Sequence, residues 1–120
     1  MKLDHMTIHS NNLEAVKESL MRLLLLEDGP RPAFEPYGYW LYGEGYPIVH
    51  LTAMDTNPGD STGALDHVSF KDDDYDGLKS RLQQDAVEYR EQVVPGTGVR
   101  QVFFIIQHQV EIEVDFPPAP

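Results

Sequence analysis

Two phrases place a histidine at the same point of the same pattern. They are Leu3-Asp4-His5-Met6-Thr7-Ile8 and Leu65-Asp66-His67-Val68-Ser69-Phe70, an offset of sixty-two positions (67 − 5). A third histidine, His50, sits inside Val49-His50-Leu51, and Glu113 sits inside Ile112-Glu113-Val114. Imidazole and carboxylate groups can move protons or coordinate divalent cations of intermediate softness. The chain has no cysteine, so disulfides, thiolate metal sites and a cysteine nucleophile are all excluded.

What positions these residues is a repeat. At the same offset, residues 11–23 fall on 73–85, with Lys17 meeting Lys79, Leu20 meeting Leu82 and Glu14 meeting Asp76. Each copy reads as a strand, a polar cap and an amphipathic helix. Leu13, Val16, Leu20 and Leu23 keep helical spacing, as do Tyr75, Leu78 and Leu82. Asn11 or Asn12 and the run Asp72–Asp74 supply capping side chains. The segment 27–38 is dense in Gly and Pro and reads mostly as loop, so the strand after the first helix is poorly marked. Strands follow at 39–42 and 47–52, and in the second half at 87–94, 99–106 and 110–116. Each half is thus β-α-β-β-β, and the fold class is α+β.

Strand parity turns the pattern into chemistry. Alternate side chains of a strand share a face. His5 and Thr7 oppose Met6 and Ile8, and His67 and Ser69 oppose Val68 and Phe70. His50 and Thr52 oppose Val49 and Leu51, while Glu111, Glu113 and Asp115 oppose Ile112, Val114 and Phe116. With a one-residue shift, His50 is the counterpart of Glu113. Two related halves therefore yield His5, His50, His67 and Glu113 on one kind of polar face.

The 120 residues carry 20 acidic against 9 basic side chains, a net charge of −11. Nucleic acid and acidic membrane surfaces are poor partners for such a chain. The start, MKLDHMTIHS, has no apolar core of a signal peptide, and the aliphatic run Leu23–Leu26 is too short to span a bilayer. A cytoplasmic protein is the expectation.

The phrases LDHMTI, IVHL, LDHVSF, YREQVVPGTGVRQVFF and VEIEVDF together resemble the vicinal oxygen chelate superfamily, which includes glyoxalase I, fosfomycin-resistance proteins and extradiol dioxygenases. The resemblance covers nearly the whole chain. It implies one glyoxalase-like domain made of two βαβββ modules, 1–55 and 64–116, whose mixed sheets curl into a cup around a divalent metal ion. Carried over by position, His5, His67 and Glu113 match the usual ligands and His50 matches a fourth. Glu113 is then also the carboxylate at the reacting centre. The ligand types suit Zn, Ni, Mn, Fe or Co. The partners implied are a small-molecule substrate and a second copy of the chain in a homodimer.

One feature departs from the family pattern. Relatives often carry Asp-Pro-Asp-Gly in the last hairpin, where this chain has Ile106-Gln107-His108-Gln109, so a hairpin of different shape is expected. His9 and His108 read as surface or turn residues. Tyr37, Tyr39, Trp40, Tyr42 and Tyr46 could wall a pocket, although strands favour aromatics in any case. Arg90 and Arg100 could hold an anionic group of a substrate. Two functions fit: a glyoxalase-type metal enzyme (lyase, isomerase, thiol transferase or dioxygenase), or a non-catalytic small-molecule or antibiotic-binding resistance protein on the same fold. A binder needs no spaced ligand set, which favours the enzyme.

Overall fold

The computed structural model describes residues 1–120, which divide into two compact units, 1–59 and 60–120. The first unit contains β1 (Met6–Ser10), α1 (Leu13–Leu24), β2 (Glu27–Gly29), β3 (Gly38–Gly43) and β4 (Tyr46–Ala53). The second contains β5 (Val68–Lys71), α2 (Tyr75–Gln84), β6 (Tyr89–Val93), β7 (Arg100–Ile105), a 3-10 turn at Gln107–Gln109 and β8 (Glu111–Phe116). Each unit is a four-stranded mixed sheet with one helix on one face. The strand orders are β1-β4-β3-β2 and β5-β8-β7-β6. In both, the first strand runs parallel to the last and the other pairs are antiparallel.

The repeat extends to the register. Thr7 of β1 lies opposite His50 of β4, and Ser69 of β5 lies opposite Glu113 of β8. Thr7 and Ser69 are the repeat pair, so His50 and Glu113 occupy equivalent places, as the sequence implies.

Apolar residues of one parity meet the helix of each unit. In the first, Leu13, Val16, Leu20 and Leu23 of α1 are buried together with Ile8, Leu41, Val49 and Leu51. In the second, Leu78 and Leu82 of α2 are buried with Val102, Phe104, Ile112, Val114 and Phe116. Val68 is only half-buried. Leu20 and Leu82 expose no surface, so truncating either to Ala should cost about 2–5 kcal/mol.

Two local features differ from the sequence expectation. β2 lies inside the segment expected to be loop, and its three residues pair with β3 through Asp28↔Leu41 and Gly29↔Trp40. Gly29 is its last residue and Pro30 follows directly, so a strand this short reads as loop. Asn12 is the N-cap of α1 but makes no capping bond with its side chain; Ser10 Oγ instead accepts from the Asn12 amide at 2.8 Å. In α2 the aspartate expectation holds, with Asp74 Oδ1 accepting from the Gly77 amide at 3.0 Å. The last hairpin turns through His108 at φ 61° and Gln109 at φ 59°, two left-handed residues that are not glycine. The ladder on either side still pairs Ile105 with Glu111, which keeps Glu113 on the face away from α2.

Candidate metal site

The face of each sheet away from its helix carries the polar side chains. In the second unit, one row across the sheet is Ser69, Glu113, Phe103 and Arg90, from β5, β8, β7 and β6. Glu113 is buried, at 7 % exposure, and its carboxylate is surrounded by donors. Ser69 Oγ donates to Oε2 at 2.9 Å and Gln101 Nε2 donates to the same oxygen at 3.1 Å. The other oxygen, Oε1, lies 3.2 Å from His67 Nε2. Burial, and then the neighbouring Asp115 carboxyl, push Glu113 above the usual carboxylate range, against the pull of Ser69 and His67.

His67 is held from its other side. Its Nδ1 lies 2.8 Å from Asp66 Oδ2. That bond, more than the nearby Glu113 and Glu111 charges, raises the imidazole above its ordinary value. A carboxylate on Nδ1 fixes the proton there in the neutral ring and leaves the Nε2 lone pair outward, the arrangement that prepares a histidine to bind a metal. Asp66, His67 and Glu111 also bring ligand atoms within 4.8 Å of one another.

The first unit repeats the device. His5 Nδ1 lies 2.7 Å from Asp4 Oδ2. Asp4 in turn accepts from the Tyr46 hydroxyl, a bond that holds the carboxyl below its usual range. His5 stacks on His50, with ring centroids 3.7 Å apart and planes 13° apart, and Trp40 stacks on the far side of His50 at 4.4 Å and 14°. Burial, followed by the neighbouring His5, lowers His50 toward the neutral ring. His50 Nε2 is buried without a hydrogen-bond partner.

The His67–Glu113 pair fits a divalent cation on geometry. Two donors held about 2.1 Å from one ion are about 3.0–3.4 Å apart for octahedral to tetrahedral angles. His67 Nε2 and Glu113 Oε1, at 3.2 Å, have that spacing. His5 presents the same kind of nitrogen, with Nδ1 tied and Nε2 free.

Other sequence candidates are placed as follows. His9 is an exposed residue of β1 whose Nδ1 lies 2.7 Å from Thr52 Oγ1. The aromatic segment splits between the two faces. Tyr39 bonds Glu14 of α1 and carries Lys17 over its ring at 4.1 Å. Trp40 joins the histidines instead, and the Tyr42 ring fills the space that a side chain at Gly29 would need. Arg90 lies on the Glu113 face, 3.9 Å over Phe103 and 3.6 Å from Glu111. Arg100 does not: it lies over Tyr75 of α2 at 4.2 Å and donates to the Pro117 carbonyl. Its β7 position has the parity of Val102 and Phe104, which face the helix. An open cavity of about 630 Å³ is lined by Tyr89, Arg90, Phe103, Ile105, Gln109 and Glu111, among others.

Sequence reasoning gave Asp4, Asp66, Ser69 and Gln101 no role at the site. The signal for the first two was present, since an aspartate precedes the histidine in both copies of the repeat.

No protein-family model matches the sequence, and no curated protein matches it. Solved structures do. A glyoxylase/bleomycin resistance protein/dioxygenase domain from a Frankia species superposes with a TM-score of 0.80 at 17 % identity, over 98 % of both chains. The fosfomycin resistance protein FosX of Listeria monocytogenes, in a mutant complexed with Mn(II) and dihydroxypropylphosphonic acid, gives 0.76 at 15 % identity, over 97 % of this chain and 92 % of that one. FosX of Mesorhizobium loti gives 0.68 at 18 %, over 96 % and 91 %. The chain therefore has the glyoxalase-like fold of the vicinal oxygen chelate proteins. No helix is long and apolar enough to cross a membrane.

Proposed function

We propose that the protein is a divalent-metal enzyme of the glyoxalase type, acting on a small substrate with two neighbouring oxygens, and that His5, His67 and Glu113 hold the metal. The observation that carries this reading is the His67–Glu113 pair. A buried carboxylate oxygen faces an imidazole nitrogen at the spacing of two ligands on one ion. Its Asp66 support is duplicated at Asp4–His5. The FosX of Listeria monocytogenes, which is similar in fold, was complexed with Mn(II), which makes Mn(II) the first metal to try.

The metal, when bound, would polarise a substrate oxygen and stabilise negative charge that develops on it. The chain's own residues supply the rest. Asp66 and Asp4 keep the Nδ1 proton in place, so Nε2 of each histidine remains the donor. Ser69 and Gln101 hold Glu113 Oε2 and leave Oε1 directed at the site. Arg90 and Phe103 offer a cation and an aromatic wall on the same sheet face as Glu113, and they line a neighbouring cavity that Glu113 itself does not line. A buried carboxylate with a raised pKa is also suited to accept or return a proton during the reaction.

We further propose a cytoplasmic homodimer. Each sheet ends in open edge strands, and Val93 of β6 and Ile105 of β7 leave large apolar side chains exposed. Light scattering at micromolar concentration tests this, and a monomer would refute it.

The decisive experiment is isothermal titration of metal-free protein with Mn(II), Zn(II), Ni(II) and Fe(II), followed by a panel of epoxide, hydroxyketone and catechol substrates. Uptake of one ion per chain, lost in His67→Ala and Glu113→Ala, is the expected result. Wild type that binds none of the four metals leaves the non-catalytic binding protein as the function.

A further inference from the structure

In the first unit, three rings form one column. Trp40 of β3 and His50 of β4 are opposite one another in the sheet, and their rings stack. His5, just ahead of β1, covers the other side of His50. The chain's one tryptophan is thus spent on a histidine rather than on the helix side of the sheet.

Position by position, His50 is the equivalent of Glu113, which makes it a candidate fourth ligand. The ring geometry argues against that. An imidazole binds a metal along a lone pair lying in the ring plane. Planes 13° apart with centroids 3.7 Å apart send their lone pairs along nearly parallel lines. An ion in the plane of His5 would lie out of the His50 plane by nearly the stacking distance, more than a whole metal–nitrogen bond of about 2.1 Å. One ion cannot be well bound by both rings in this arrangement.

We infer that His50 is the middle ring of a positioning stack, and that Trp40, acting through His50, sets the plane in which His5 presents Nε2 to the metal. This rests on the metal reading above. Two constraints then define the His5 ring. Asp4 fixes it at one edge through Nδ1, and Tyr46 fixes Asp4. The His50 face fixes its tilt, and Trp40 supports His50 from behind. A ligand held at both edge and face keeps its geometry before the ion arrives, which is what supporting residues contribute to metal affinity. Only an aromatic ring is needed at positions 40 and 50, not a nitrogen donor.

Mn(II) titration into purified metal-free protein tests this, using wild type, His50→Phe, Trp40→Phe, Trp40→Leu and His5→Ala. His50→Phe and Trp40→Phe keep a ring and should change the dissociation constant by less than about threefold. Trp40→Leu removes the ring while staying apolar, and should weaken binding by about 10–100-fold, as loss of a supporting residue does. His5→Ala should abolish most binding. Proton NMR of the metal-free proteins supplies a second readout. Ring-current shifts of the His5 imidazole protons should persist in Trp40→Phe and shrink in Trp40→Leu, a contrast that loss of packing alone would not produce. If His50→Phe loses Mn(II) as completely as His5→Ala, His50 is a ligand and the inference falls. It also falls if Trp40→Leu binds as wild type does with unchanged His5 shifts. Wild type that takes up no Mn(II) or other divalent metal overturns the metal reading itself, and the inference with it; either of the two contrary variant results in a metal-binding wild type overturns the inference alone.

Discussion

His67 and Glu113 meet through Nε2 and Oε1 at 3.2 Å, although Glu113 is otherwise shut off from solvent. The pair places a carboxylate where it costs stability. A carboxyl whose folded-state pKa is raised holds its proton more tightly in the folded than in the unfolded chain. The folded state therefore loses stability as pH rises past the ordinary carboxylate value and through the raised one. Glu113→Gln removes that charge and keeps an oxygen to accept from Ser69. In metal-free protein at neutral pH it should raise the melting temperature by a few degrees, as about 1 kcal/mol does in a domain of this size. Below the usual carboxylate range the gain should vanish. The same substitution should abolish most Mn(II) binding. Thermal melts against pH, paired with titration calorimetry, check both halves; a neutral-pH melting temperature below wild type contradicts the assignment.

Asp66→Asn separates two effects of one hydrogen bond. The Asp66 bond is the largest cause of the raised His67 value, so its loss should let the imidazole deprotonate at lower pH. Metal binding needs the neutral ring and strengthens as pH rises through the imidazole pKa. The midpoint of that rise should therefore move to lower pH in Asp66→Asn. The limiting affinity should nonetheless fall by about 10–100-fold, because the ring loses its orienting partner. Mn(II) affinity measured from pH 5 to 8 separates the two, and a midpoint shifted upward would contradict the role given to Asp66.

The sequence makes the repeat visible because sixty-two residues separate matched histidines, lysines and leucines, and strand parity then puts His67 and Glu113 on one face. The observed pairs Thr7↔His50 and Ser69↔Glu113 follow that logic residue by residue. Other features are not readable that way, each for its own reason. The strand at Glu27–Gly29 is too short to show a period before Pro30. Asn12 is the N-cap by position but its side chain takes no amide of the first turn, and Ser10 Oγ accepts from the Asn12 amide just ahead of the helix. The Trp40–His50 stack needs the cross-strand register, which a single sequence does not contain. Arg100 was a candidate anion holder on residue type alone, and its parity takes it to the helix side.

The last hairpin stores strain. His108 and Gln109 both adopt positive φ without the freedom of glycine, at a cost of roughly 1 kcal/mol per residue. Gln109 is exposed, so Gln109→Gly should stabilise the protein by about 0.5–1 kcal/mol, the relief being partly offset by a more flexible unfolded chain. Urea denaturation measures this, with the slope expected unchanged. An Ala substitution at the same place should give no such gain, because Ala meets the same left-handed penalty.

The final prediction concerns a staple that the repeat builds twice with its parts exchanged. In the first unit, Glu14 of α1 accepts from Tyr39 of β3, and Lys17 lies over the Tyr39 ring. In the second, Tyr75 of α2 donates to Glu91 of β6, and Lys79 lies over the Tyr75 ring and 3.1 Å from Glu91. The acid and the phenol have changed places between helix and strand, while the repeat-equivalent lysines have stayed. The Tyr75 bond is the largest cause holding Glu91 below its usual carboxyl value, with Lys79 adding to it. A depressed carboxyl contributes stability that is present above the unfolded-state value of 4.5 and is lost as pH falls through the folded-state value. Tyr75→Phe keeps the ring against Phe116 and beneath Lys79 and removes only the hydroxyl. At neutral pH it should therefore cost about 0.5–1 kcal/mol, since the bond is partly exposed to solvent. The deficit should close as pH falls below the carboxyl range, where wild-type Glu91 is protonated as well. Chemical denaturation of both proteins from pH 7 down to the acid limit of folding follows the difference. A deficit that stays constant across the range would mean that the hydroxyl contributes through packing and not through the Glu91 charge.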